Sequence, residues 1–158
     1  MIPPLDNRGL LPEGVHTAAS WDEIAIRFAI NQVRQGRLEE MFKFIRSDLR
    51  RPAAGLELYV GGSYFSDILF PGDIDCTVCI PLAEIANRID LIRLCANEGG
   101  KGRIWQQHKI EIYPSFELPG SNDFREFFQY VGEKTASLKQ IHQKDRRGII
   151  KVEQWIVG

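Results

Sequence analysis

A chain of 158 residues with a net charge of −1 suits one compact domain, residues 1–158, that is long enough to bury a core. Its 44% hydrophobic and 26% charged residues are those of an ordinary soluble globular protein, and no apolar run reaches the ~20 residues needed to cross a bilayer. The near-neutral balance gives no global field for nucleic acid, so a dedicated RNA-binding protein is the weakest reading and any such contact needs a local patch.

The opening Met1-Ile2-Pro3-Pro4-Leu5-Asp6 has neither the basic nor the apolar region of a signal peptide. Cys76, Cys79 and Cys95 lie in apolar surroundings and read as reduced, buried thiols of a cytoplasmic protein. Residues 1–20 are expected to be an irregular arm packed through Leu10, Leu11 and Val15. Ser20 and Glu23 have capping-box spacing, so a helix should start at Trp21. Apolar residues at intervals of three and four (Ile24, Phe28 and Ile30, then Leu38, Met41, Phe42 and Ile45) make 21–51 helical, with Gly36 as the expected divide. Pro52 and Gly55 end this region.

Residues 56–60 have strand composition and stop at Gly61-Gly62. Residues 63–70 should be a short helix or turn, and Pro71-Gly72 a break. Residues 73–80 alternate with period two, as a half-buried strand does. An amphipathic helix over 82–97 and a glycine-rich loop over 98–102 follow. Residues 108–113 alternate again, 114–121 form a loop and 122–132 a helix. The polar stretch 133–147 should be partly helical. Residues 148–152 suit a last strand, with a helix running on to Ile156 as the alternative. The fold class is therefore α+β: a small mixed sheet flanked by helices, with extra helical regions at both ends.

Chemistry concentrates in Gly61-Gly62-Ser63-Tyr64-Phe65-Ser66-Asp67-Ile68-Leu69-Phe70-Pro71-Gly72-Asp73-Ile74-Asp75. Asp73 and Asp75, two apart on a strand, project from one face. Their like charges repel unless a cation lies between them. Hard divalent cations favour carboxylate oxygens and substrate phosphates, and a pair of such ions about 4 Å apart serves in-line displacement at phosphorus. Upstream, Gly62 and Ser63 end a strand where backbone can approach a bulky anion, and the Ser63 and Ser66 hydroxyls could contact phosphate. The bland alternative is that Asp73 caps a turn and Asp75 is a solvated strand residue.

A Gly-Ser turn followed by Asp-x-Asp resembles the motif of the DNA-polymerase-beta-like nucleotidyltransferases. The resemblance spans residues 56–113, and the helix between the two acidic strands agrees with that superfamily's order of elements. More loosely, residues 11–23 and Phe124-Arg125-Glu126-Phe127-Phe128 resemble a bacterial branch of nucleotidyltransferase-like proteins. The resemblance implies that Asp73 and Asp75 bind Mg²⁺ or Mn²⁺ and that Gly62, Ser63 and Ser66 hold a nucleoside triphosphate, with ATP expected. It also implies a third acid from a later strand, and Glu111 in Ile110-Glu111-Ile112 has suitable flanks.

The remaining patterns carry less. Cys76-x-x-Cys79 would point to opposite faces of a strand, which argues against zinc. His16, His108 and His142 are scattered, although His108 could approach Glu111. Phe124, Phe127, Phe128 and Val131 form a helical stripe that reads first as core. Lys144-Asp145-Arg146-Arg147 reads as a solvated loop, with phosphate neutralisation by Arg146 or Arg147 as the functional alternative. No P-loop or dinucleotide-binding fingerprint occurs.

The expected function is Mg²⁺-dependent transfer of a nucleoside monophosphate to a protein or RNA hydroxyl. The small size resembles the minimal nucleotidyltransferases of toxin–antitoxin pairs, so a cognate toxin is one candidate acceptor, and a homodimer or partner would supply the acceptor surface. The alternative is a non-catalytic module of the same fold that binds nucleotide or a partner protein.

Overall fold

In the strand Ile74–Pro81 (β3), alternate residues divide the molecule into two sides. Ile74, Cys76, Val78 and Ile80 are fully buried in the main hydrophobic cluster. Asp75, Thr77 and Cys79 face the other way. The computed structural model describes residues 1–158, and its sheet has five strands in the order β1-β5-β2-β3-β4. These are β1 (Gly14–Ser20), β2 (Glu57–Gly61), β3, β4 (Ile110–Glu117) and β5 (Gly148–Gln154). β3 runs antiparallel to β2 and parallel to β4, while β5 runs antiparallel to β2 and parallel to β1. The mixed sheet flanked by helices is the expected α+β class. No helix is long and apolar enough to cross a membrane.

Four helices cover the main-core face: α1 (Trp21–Phe28), α2 (Gln32–Phe44), α3 (Ile89–Glu98) and α4 (Arg103–His108). Their apolar residues, among them Ile24, Met41, Leu91 and Ile104, join the strands' inward residues in that cluster. Beyond the main cluster lie two small ones, Tyr59, Cys79, Phe128 and Ile149 on the opposite face and Leu10, Val131 and Ala136 beside the cleft, so part of that face stays open. The short α5 (Phe124–Phe127) and α6 (Glu133–Lys139) lie in the segment that partly covers it.

Ser20 does cap α1: its side chain accepts from the Asp22 amide at 3.3 Å. Glu23 accepts from the amides of Ala19 and Ile2 (3.1 and 2.8 Å) rather than from Ser20, so the cap also ties down the amino-terminal arm. That arm is not irregular throughout, because residues 14–20 form β1, whose partner β5 lies at the far end of the chain. Leu10 and Leu11 are buried as expected, whereas Val15 is exposed.

The helical region divides at residues 29–31 and not at Gly36, which lies inside α2. Asn31 is extended, and its side chain accepts from the Arg34 amide at 2.9 Å, a cap stronger than glycine's modest helix penalty. Ile30 is consequently exposed instead of lying in the apolar stripe. α2 widens into a π-turn over Ile45–Leu49.

Later boundaries also shift. Residues 82–88 are 3₁₀, and α3 starts only at Ile89. α4 fills residues 103–107, to which the sequence pattern assigns no element, and takes in His108, expected to open the next strand; Lys109 in the left-handed conformation (φ 57°) ends it. β4 continues through Pro114 to Glu117, since an edge strand can lack one ladder donor. The helix expected over 122–132 contracts to α5, and residues 148–154 are a strand.

Candidate active site

The pairing of strands assembles the site. Asp75 lies opposite Gly61 of β2 and opposite Glu111 of β4, so all three occupy one row on the open face. Asp73 immediately precedes β3. Carboxylate oxygens of Asp73, Asp75 and Glu111 all lie within 4.8 Å of one another, which brings together the three acids expected from sequence.

Their environment is unequal. Asp73 Oδ2 accepts from Trp105 Nε1 at 3.0 Å and from Lys101 Nζ at 3.2 Å. The same ammonium lies 3.4 Å from Glu111 Oε1, and the Tyr113 hydroxyl donates to that oxygen at 3.3 Å. Asp75 Oδ1 is buried and has no hydrogen-bond partner. Burial pushes the Asp75 carboxyl well above the usual carboxylate range, and the Glu111 and Asp73 carboxyls push it further. Burial opposes the Lys101 ammonium, but its contacts with Asp73 and Glu111 prevail and raise its pKa. Burial and the adjacent Glu111 raise the Tyr113 hydroxyl to about 12.

This donor set fits a hard divalent cation. Three converging carboxylates offer the oxygen ligands that Mg²⁺ and Mn²⁺ favour. The dry, unpaired Asp75 oxygen lacks the positive partner that an ion would provide.

The acids open into a cleft of about 930 Å³, which is in the range of small-molecule sites. Gly62 and Ser63 line it. Gly62 has φ +89°, and a Cβ there would come 2.5 Å from Asp75 Oδ2, so glycine is required both for the turn and for the approach to the acid. Ser66 does not line the cleft: its hydroxyl donates to Ser63 O at 2.6 Å and accepts from the Ile68 amide at 3.2 Å. Its part is to hold the turn.

Two buried arginines brace that turn. Arg34 donates to the carbonyls of Phe28, Tyr64, Ser66 and Ile68. Arg147 donates to Gly62 O at 2.7 Å and Phe65 O at 3.3 Å, and it lines the cleft. No carboxylate pairs with Arg147, its Nε is buried without a partner, and burial lowers its pKa to about 10. A buried cation held by carbonyls, with the Asp75 and Asp6 carboxyls acting only from beyond ion-pair distance, favours an anion beside it. Lys134 and Lys144 line the same cleft.

Other expectations need correction. Arg147 is buried rather than solvated, while Arg146 pairs with Glu13 and Glu126 at 2.9 and 2.7 Å. His108 turns from Glu111 to Glu40, with Nδ1 at 2.8 Å from its carboxylate. The aromatic stripe splits, since Phe128 and Val131 are buried and Phe127 is exposed. Cys76 and Cys79 lie in separate clusters, and burial raises the Cys79 and Cys95 thiols to about 12, which leaves them inert.

Lys101, Trp105, Tyr113 and Lys134 were not singled out from sequence. The one local signal was Lys101's position in Gly99-Gly100-Lys101-Gly102, just ahead of the strand that carries Glu111.

Neither curated proteins nor solved structures yield a match to this chain. One family model, described as "Family of unknown function (DUF6932)", matches residues 3–153, and the chain belongs to that family.

Proposed function

We propose that this chain is a divalent-metal-dependent nucleotidyltransferase of the DNA-polymerase-beta-like kind, which transfers a nucleoside monophosphate to a hydroxyl of protein or RNA. The observation that carries the reading is the convergence of Asp73, Asp75 and Glu111 within 4.8 Å in the same cleft as Gly62, Ser63 and Arg147, a buried arginine with no direct carboxylate partner. Acids that need a cation and a cation that needs an anion meet in one space, and a metal–triphosphate complex satisfies both.

Asp73, Asp75 and Glu111 would hold the metal. When bound, Mg²⁺ supplies charge neutralisation at the reacting phosphate and the departing pyrophosphate. Gly62 lets the backbone close on the triphosphate, and Arg147, Lys134 and Lys144 neutralise it. Glu111 receives the proton of the acceptor hydroxyl. A cognate toxin remains one candidate acceptor.

Nucleoside triphosphates labelled at the α-phosphate, incubated with Mg²⁺ and RNA or protein fractions, test the reading. Label should appear with the intact chain and be lost with Asp73→Ala/Asp75→Ala. Absence of label from every nucleotide and fraction, together with no metal-dependent nucleotide binding, would overturn it.

Lys101 favours a second reading, a non-catalytic module of the same fold. Its ammonium already lies between Asp73 and Glu111, the place a metal would take. Nucleotide or partner binding indifferent to Mg²⁺ would favour that module.

A further inference from the structure

The cleft is polar at the acids and apolar at its rim. Four large side chains line it while remaining substantially exposed: Phe70 (68%), Phe127 (64%), Leu138 (64%) and Tyr130 (42%). Such a group, exposed within one concavity, marks a binding surface more often than a packing fault.

Two of the rings are held in place. Phe127 meets Phe124 and Phe128 edge-on at 5.9 and 6.0 Å between centroids. Phe124 in turn stacks on Tyr113 at 4.6 Å and 10°, and Tyr113 donates to Glu111. An unbroken row of aromatic contacts thus runs from the acid cluster to the rim. Tyr130 is fixed separately, with the Arg146 guanidinium 4.5 Å from its ring centre and Arg146 anchored by two carboxylates. The backbone there is tied as well, since the Val131 amide donates to Asp145 O at 2.8 Å. A pre-set aromatic surface binds a flat ring at low entropic cost.

We infer that this rim, with Phe127 as the platform and Tyr130 and Phe70 beside it, binds the nucleobase of the nucleoside triphosphate. The inference rests on the proposed function and places the part of the substrate that no sequence motif marks. The cleft offers cations for phosphate, acids for metal and exposed aromatic faces for a base. An aliphatic ligand would use the area of these rings but not their π-faces, whereas every nucleobase uses both. No acidic side chain pairs with Lys134 or Lys144 to blunt the attraction for the phosphates.

The test compares Mg²⁺-dependent binding of ATP and of inorganic tripolyphosphate by titration calorimetry, using the intact chain, Phe127→Ala and Phe127→Trp. Loss of base stacking should weaken ATP binding by roughly 5- to 100-fold in Phe127→Ala. Tripolyphosphate binding should stay unchanged in that variant, and Phe127→Trp should retain ATP affinity. Phe127 is exposed, so these variants should fold.

Equal ATP affinity in Phe127→Ala and the intact chain would overturn the inference. If label transfer then fell, the rim would belong to the acceptor. Parallel loss of both ligands would also overturn it, by making Phe127 structural. Tripolyphosphate bound as tightly as ATP by the intact chain would sink the base site but leave the anion site standing. No metal-dependent binding of either ligand would instead remove the underlying nucleotidyltransferase reading.

Discussion

At Asp75 the fold works against its own stability. The side chain faces Glu111 across the β3–β4 pairing, and one oxygen is buried without a partner. Burial and the neighbouring carboxyls raise its folded-state pKa well above the ordinary 3.8. Below pH 3.8 the group is protonated in both the folded and unfolded states, so it contributes nothing. As pH rises from there, the unfolded chain gains by ionising while the folded chain does not, until the higher folded pKa is passed. Stability of the metal-free protein should therefore fall across that window and level off above it. Asp75→Asn lacks the slope and should be more stable than the native chain near neutral pH. Urea denaturation of both proteins at about pH 4 and pH 8 measures this. Equal pH profiles would show that Asp75 ionises freely. On the proposed metal-binding role, Mn²⁺ should stabilise the native chain, and the same substitution should abolish that stabilisation.

The three acids were legible in the sequence because strand periodicity is local. Asp73 and Asp75 share a face by spacing alone, and Ile110-Glu111-Ile112 shows its own buried side. Lys101 and Arg147 could not be read in the same way. Each reaches the site from a loop or strand end, and only the tertiary path of the chain determines that Arg147 is buried beneath Gly62.

Among the elements, the loop between β2 and β3 depends on α2 more than on itself. Arg34 projects from the first turn of α2 and donates to four carbonyls, three of them in that loop. Asn31 donates to Leu69 O at 2.9 Å, and Arg37 to Pro71 O at 3.2 Å. The Arg34 guanidinium also lies 5.1 Å from the Tyr64 ring centre, and the Tyr64 hydroxyl returns a bond to Arg34 O at 2.9 Å. Arg34→Ala should leave buried carbonyls unpaired and cost about 3–5 kcal/mol. Arg34→Lys should recover only part of this, because one ammonium cannot reproduce the planar fork. Denaturant midpoints give the stability, and metal titration should show weakened binding even where Arg34→Lys remains folded. Full metal affinity in a folded Arg34→Lys would mean that the loop holds its shape without α2.

Element boundaries were readable where the deciding chemistry was local. The Ser20 cap marked α1, and the glycines after β2 marked its end. At Asn31 the sequence alone does not outweigh Gly36, because a side-chain cap prevails over glycine's propensity only once the backbone enters extended geometry. β1 has no such local signal: its hydrogen-bonding partner is β5, and no local pattern announces a parallel pairing so distant.

On the scale of the whole molecule, one face of the sheet supplies stability and the other carries the candidate site. Helices α1–α4 and the main cluster cover the first, while the second carries the acids, the cleft and a small aromatic cluster. This division explains why substitutions at the acids should be tolerated by the fold. It also explains why the aromatic stripe is core at Phe128 and Val131 but exposed at Phe127: periodicity identifies a shared face but not whether anything covers it.

The position of β5 governs when the site can exist. This strand is synthesised after the other four, yet it lies between β1 and β2, and Arg147 directly precedes it. Until it is inserted, β1 has no neighbour in the sheet and the turn at Gly62 lacks its inner brace. A nascent chain can thus carry Asp73, Asp75 and Glu111 through synthesis with no finished cleft around them. Any activity begins only with closure of the sheet, and the finished site reports that β5 has been made and inserted.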